Sequence, residues 1–212
     1  MGCYAVLVDG GFLKRRIGSE QQPLNAQKFQ EFLAALGTHS ALSPHALHRV
    51  YFYDAAPLNE SKACPLNGGT INFGASQTAT QNRTLHNELV RMSFVALRMG
   101  ELGFRGWGLR KNVLQAKTDQ VTIHAVDLQP TIQQKGVDMR IGLDIAALTL
   151  KKIADVIVLV TGDSDFVPAM KFARREGAQL FLVALGAPIK EAMYEHSDLI
   201  LEVPGFGRPA AR

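Results

Sequence analysis

The feature that most constrains this chain is an alternation. Short, continuous apolar runs at residues 4–8, 49–53, 156–161, 180–185 and 199–203 are separated by longer stretches with helical patterning at 25–36, 84–99, 138–152, 165–176 and 188–196. The runs are apolar throughout rather than at every second residue, as in parallel strands covered on both faces. Strand and helix in alternation predict an α/β fold, a three-layer sandwich around a central, mainly parallel sheet with right-handed crossovers. Two stretches break the rhythm. Residues 55–82, with Pro57, Pro65, Gly68, Gly69 and Gly74, read as a long loop. Residues 104–117 and 121–127 predict a small two-stranded excursion that carries Arg105, Arg110, Lys111 and Lys117 around the single tryptophan, Trp107.

The chain has 212 residues. That length predicts one domain over residues 1–203, followed by a Pro- and Gly-rich tail, 204–212, that frays. Hydrophobic residues make up 47% and charged residues 20%, which excludes a mainly disordered chain, a fibrous repeat and a coiled coil. No apolar run approaches the length of a membrane span. Cys3 and Cys64 are too few for a disulfide framework or a cysteine-based zinc site, and read as reduced thiols. Residues 4–8 run straight into Asp9-Gly10-Gly11 without the basic head and cleavage site of a signal peptide. The expectation is a cytoplasmic protein.

Net charge is +4, unevenly spread. Residues 83–117 hold seven basic and two acidic side chains, whereas residues 118–165 hold seven acidic and four basic ones. A basic band beside an acidic cluster suits a protein that holds a polyanion over bound metal.

The strongest local signal is Val158-Leu159-Val160-Thr161-Gly162-Asp163-Ser164-Asp165-Phe166. A buried strand ends, a glycine permits a tight turn, and two carboxylates flank a serine. One Asp suffices to cap the helix that follows, with Pro168 in its first turn; two exceed that need. Asp9 stands at the same kind of place, after the first strand. In open parallel sheets, ligands bind beyond the carboxyl ends of the strands at the switch point. If the two strands are neighbours, Asp9 and Asp163 converge, and that convergence serves a hard cation such as Mg²⁺ rather than packing. Asp138 opens the helix before strand 156–161, which brings it to the same edge. Asp144 lies further down that helix, on a face shared with Arg140 and Lys151, and reads as part of a salt-linked surface.

Asp9-Gly10-Gly11, Lys135-Gly136-Val137-Asp138 with Asp144, and Thr161-Gly162-Asp163-Ser164-Asp165-Phe166 resemble the three motifs of the NYN domain family, in its LabA-like branch. The resemblance spans residues 4–203. It implies a PIN-like fold and a ribonuclease dependent on Mg²⁺ or Mn²⁺, an endoribonuclease hydrolysing phosphodiester bonds in RNA. Asp9, Asp138, Asp163 and Asp165 are carried over as the catalytic, metal-binding set. The family often has Asn three residues after the first Asp; here that residue is Phe12. The alternative is a non-catalytic RNA-binding or regulatory module that keeps the acidic site.

The expected partners are RNA, single-stranded or structured, and a second copy of the chain in a homodimer, with no membrane. On the helix expected at 84–99, Leu85, Leu89, Met92, Val95, Ala96 and Met99 form one stripe, and Arg83, Arg91 and Arg98 lie on the other side. Arg91, Arg98 and Lys135 are therefore candidates for phosphate, and Trp107 for stacking on a base. Other chemistries lack their signatures: there is no Gly-x-Ser-x-Gly elbow, no phosphate loop, no Gly-x-Gly-x-x-Gly and no His-Glu-x-x-His.

Overall fold

The computed structural model describes residues 2–115 and 118–207. Strand β1 (Gly2–Asp9) leads into helix α1 (Gly10–Ile17), and α2 (Ala26–Gly37) follows. Asn25 caps α2 by accepting the Lys28 N–H at 2.8 Å. After β2 (His45–Ala55) comes a short antiparallel pair, β3 (Ser61–Ala63) and β4 (Thr70–Asn72), and then α3 (Gln77–Leu89), capped by Ser76. The remaining elements are β5 (Val95–Leu109), α4 (Lys111–Leu114), β6 (Leu128–Lys135), α5 (Val137–Leu150), β7 (Val156–Val160), α6 (Val167–Arg175), β8 (Gln179–Val183), α7 (Glu191–Glu195) and β9 (Leu199–Ile200).

Seven strands form one sheet in the order β6-β5-β2-β1-β7-β8-β9. Every neighbouring pair is parallel except β5 and β6. Period-two alternation divides the apolar strand residues between two cores. Val6, Val8, Phe52 and Val158 pack with Phe29 and Phe32 of α2 and Leu85 of α3. Leu7, Tyr53, Ile157 and Leu159 pack with Ile141 and Ile145 of α5 and Met170 of α6. The expected three-layer α/β sandwich with a mainly parallel sheet is therefore present. Among the described residues, no helix is long and apolar enough to cross a membrane.

The helix expected at 84–99 is a correction. It ends at Leu89, the chain turns, Phe94 takes a left-handed φ of 63°, and Val95 opens β5. Apolar spacing that satisfies a helix also fits a helix end followed by a strand. Pairing of residues 95–100 with residues 50–55 of β2 decides for the strand. The small two-stranded sheet lies in the stretch read as a long loop rather than at 104–127. Instead, β5 continues through an irregularity between Phe104 and Trp107 and pairs with β6 at the sheet's edge. Pro130 and the amides of β6 hide that strand from a pattern reading, but Pro is tolerated on an edge. Lys117 and residues 208–212 of the expected fraying tail lie outside the described residues.

Candidate active site

The chain reverses direction of build at β1: β2 lies on one side and β7 on the other. Val8 pairs with Val160, so the next residues, Asp9 and Thr161, leave the sheet side by side at its carboxyl edge. Asp9 caps α1, its Oδ1 accepting the Phe12 N–H at 3.0 Å. Its Oδ2 accepts from the Thr161 hydroxyl at 3.3 Å. The fully buried Thr161 Oγ1 in turn accepts the Asp163 N–H at 3.1 Å. Asp163 then caps the 3₁₀ turn Ser164–Phe166, accepting the Asp165 N–H at 2.9 Å. Gly162 permits this run, because a Cβ there would meet the Phe12 ring at 2.7 Å.

Asp138 arrives from the first turn of α5, where Gly136 adopts a φ of 73° that suits glycine. Partial loss of hydration, then the charges of Asp9, Asp163 and Asp165, push its carboxyl above the usual range. Asp9 is raised too. Burial is the largest cause, opposed by the Phe12 N–H, the Arg15 charge and the Thr161 hydroxyl, and reinforced by Asp163. The four aspartates, drawn from three separate segments, thus lie towards one edge, where the charges of Asp9, Asp163 and Asp165 act on Asp138.

Among the described residues, no three His, Cys, Asp or Glu side chains stand close enough to hold an ion as placed. In kind, however, the set fits a hard divalent cation. All the donors are carboxylates, and Asp138 and Asp165 have no side-chain hydrogen bond or ion pair among the described residues. Asp138, Asp163 and Asp165 are exposed, and Asp163 keeps one oxygen beyond the one that caps Asp165.

Beside the carboxylates lies a cleft of about 280 Å³, lined by Asp9, Phe12, Arg15, Asp163, Ser164 and Lys190 among others. Lys190 donates to Ser164 Oγ at 2.8 Å. Arg15 and Lys190 thus bring positive charge to an acidic cleft, and neither belongs to a motif. Lys190 was findable in principle, since it lies in the loop beyond the carboxyl end of β8, at the same edge.

The basic residues expected to bind phosphate are scattered. Lys135 ends β6, exposed, next to Gly136. Arg91 is exposed in the turn after α3, and Arg98 sits on β5, so the two do not share a helix face. Arg98 donates to Asp144 Oδ2 at 3.0 Å and lies over the Tyr51 ring at 5.0 Å. Arg105 and Arg110 donate to Gln133 and to the Val126 carbonyl. Trp107 is half-buried, its edge against Phe104 at 6.0 Å.

Asp144 departs from the surface network expected with Arg140 and Lys151. Arg140 donates to the Gly136 carbonyl, and Asp144 accepts from the buried Tyr53 hydroxyl at 2.8 Å as well as from Arg98. Burial and then the Asp144 charge hold the Tyr53 hydroxyl far above its ordinary pKa, so it stays a donor. Asp144→Asn keeps an oxygen for Tyr53 but loses the charge facing Arg98. The expected result is a loss of about 1 kcal/mol in a denaturant melt, and a milder effect on any activity at the carboxylate edge than substitutions there.

A model of the NYN domain matches residues 70–199. That stretch contains Asp138, Asp163 and Asp165, whereas Asp9 is supplied by β1. The fold is similar to a crystal structure of a protein of unknown function from Vibrio parahaemolyticus, with a TM-score of 0.52 over 96% of this chain and 94% of that one. The two are 14% identical, a likeness that speaks for the fold alone. No curated protein matches the chain.

Proposed function

The chain belongs to the NYN domain family, and from that premise we propose that it is a metal-dependent endoribonuclease of the LabA-like branch, hydrolysing phosphodiester bonds in RNA. The family points to a PIN-like nuclease. What supports the finer reading is that Asp9, Asp138, Asp163 and Asp165 all lie towards the carboxyl edge of the sheet, with the Asp138 carboxyl raised first by lost hydration and then by the charges of the other three.

These four residues would hold Mg²⁺ or Mn²⁺. Such an ion supplies Lewis acidity towards water and the phosphate oxygens. The protein's own groups do the positioning. Thr161 and the Phe12 N–H fix both oxygens of Asp9. Asp163 is oriented by its cap to Asp165. Arg15 and Lys190, which line the cleft beside Asp9 and Asp163, would meet phosphates of the strand, and Lys135 adds a cation at the start of the Asp138 segment. A labelled RNA incubated with the protein tests this reading: internal cleavage is expected with millimolar Mg²⁺ or Mn²⁺ and none with chelator. Intact RNA under both conditions would refute it.

A second reading is a non-catalytic RNA-binding or regulatory module, and Phe12 favours it. Where the family often has Asn, this side chain is buried and offers no polar contact; position 12 serves the site through its backbone N–H.

Electrostatic contact with the strand has its own signature. Replacing Arg15 and Lys190 together with Gln is expected to lower the slope of log affinity against log salt by about 1.4, at about 0.7 per phosphate contact on a single strand. Affinity titrations in chelator at several salt concentrations measure it, and an unchanged slope would remove both residues from the strand's path.

A further inference from the structure

We propose that the large cleft between α1 and α3 is a base-reading subsite for single-stranded RNA, joined to the acidic edge through Arg15. The identity of the strand rests on the nuclease reading above; the cleft itself does not.

The cleft measures about 920 Å³, and its lining includes Arg15, Gln77, Thr78, Gln81, Asn82 and Gln134. Arg15 also lines the smaller cleft that contains Asp9 and Asp163, so the two are contiguous at that residue. Beside Pro23, Leu24 and the carboxylate of Glu20, the larger cleft is lined by four neutral amides, Gln77, Gln81, Asn82 and Gln134. Each amide offers both a donor and an acceptor, which is what base edges demand.

The floor of the cleft is built around Asp54, which is 3% exposed. Lys14 Nζ lies 2.7 Å from Asp54 Oδ2, and His86 Nε2 lies 2.7 Å from the same oxygen. The lysine also donates to Asn82 Oδ1 at 3.2 Å. A lysine ammonium only donates, so the Asn82 carbonyl faces inward and its NH₂ is left to donate elsewhere. The charge of Asp54 is met by its partners, and the floor offers no excess positive charge for phosphate. The exposed Arg15 does offer it, at the boundary of the two clefts.

The division of labour follows. A strand laid with a phosphate on Arg15 places the neighbouring phosphodiester at the carboxylates and turns an adjacent base into the amide-lined cleft. Unstacked bases can enter a concavity and show their pairing edges; a duplex keeps those edges occupied and presents grooves and backbone. The cleft therefore selects single strands, and selects among bases.

The test uses the full chain in chelator, so that binding is read without cleavage. Fluorescence anisotropy gives affinities for labelled decamers of adenylate, cytidylate and uridylate, and for a duplex of the same length. Wild type is expected to bind the single strands with unequal affinities and the duplex more weakly. Gln77→Ala/Gln81→Ala, at two α3 positions where alanine suits a helix, is expected to weaken the preferred strand about tenfold or more and to narrow the differences between strands. Unchanged affinities and preferences in that variant would overturn the subsite. A parallel cleavage assay with Mn²⁺ separates the two claims. Cleavage by wild type with no effect of the double change on binding sinks the subsite alone. Base preference lost in the variant without any cleavage by wild type supports the subsite and sinks the nuclease reading.

Discussion

Asp163→Asn is expected to lower metal-dependent RNA cleavage by on the order of a thousandfold while leaving the fold intact, the scale on which a single charge-stabilising group is felt at a reacting centre. The substitution keeps an oxygen that can still accept the Asp165 N–H, so the turn Ser164–Phe166 keeps its cap. What it removes is one negative charge from a set of four. Asp9→Asn, Asp138→Asn and Asp165→Asn are expected to fall by similar factors, and pairs of changes to fall little further, because groups that act as a unit are not additive. Initial rates at saturating Mn²⁺ for single and paired variants measure this. Multiplying losses would show that the carboxylates act separately, and the contrast with the milder Asp144→Asn separates the edge of the sheet from the interior of α5.

Asp54→Ala is expected to cost about 3 kcal/mol, or about 6–12 °C in melting temperature for a domain of this size. Asp54 is buried and holds Lys14 and His86 at 2.7 Å each. Removing it strands the Lys14 ammonium at the cleft and the buried His86 imidazole without the carboxylate they share. The lower end of the range for a broken buried pair applies, because the Lys14 side chain is 24% exposed and reaches water. Burial on its own would raise the Asp54 carboxyl, but the hydrogen bond with His86 and the Lys14 charge outweigh it and hold it below the usual range. A depressed folded value means that this contribution is complete above the unfolded Asp pKa of about 3.9 and is lost as pH falls towards the folded value. Melting curves of wild type and variant from neutral pH downward should therefore start far apart and converge below about pH 4. A constant gap would mean that the aspartate stabilises by packing rather than by charge.

Asp54 also shows where a sequence reading reaches its limit. It follows the apolar run 49–53 just as Asp9 follows 4–8 and Asp163 follows 156–161, so the rule that picked out two strand-end aspartates applies to it equally. Nothing in sequence separation says that Lys14, forty residues earlier, and His86, thirty-two residues later, close on it. The central strands were legible because burial on both faces writes a continuous apolar run. Helices α2, α5 and α6 were legible from their helical patterning and end signals, Asn25 before α2 and Pro168 in the first turn of α6 among them. Strand β5 was not: Val95, Ala96 and Met99 satisfy a helical stripe as well as a strand, and only the pairing with Val50 to Ala55 chooses between them. The four aspartates proposed as the site were picked out because each follows a strand end or opens a helix towards the same edge. Arg15 was not legible, because a cation beside an acidic cleft has no local pattern and the fold puts it there; Lys190 could be reached only through the general rule that loops beyond the strands' carboxyl ends share that edge.

The most direct measurement of the central claim, that four aspartates form one cation-holding edge, needs no substrate. In the cation-free protein, Asp9 and Asp138 are raised above the usual range, mainly by burial and lost hydration, with neighbouring carboxylates adding to it. A raised folded value means stability that is present below the unfolded pKa and lost as pH rises through the folded one, so at neutral pH the cost of ionising both groups, mainly of desolvation with repulsion added, is fully felt. Mn²⁺ or Mg²⁺ binds the folded cluster and hardly the unfolded chain. At about 100 times its dissociation constant it adds about 2.7 kcal/mol, a rise of about 5–10 °C. A melting scan at pH about 7.5, with chelator and with millimolar cation, on wild type and Asp163→Asn, is expected to show that rise in wild type. The variant should rise less with cation and melt higher than wild type in chelator. Superimposable melting curves for wild type with and without cation would contradict the convergence of the four aspartates, and the nuclease proposal with it.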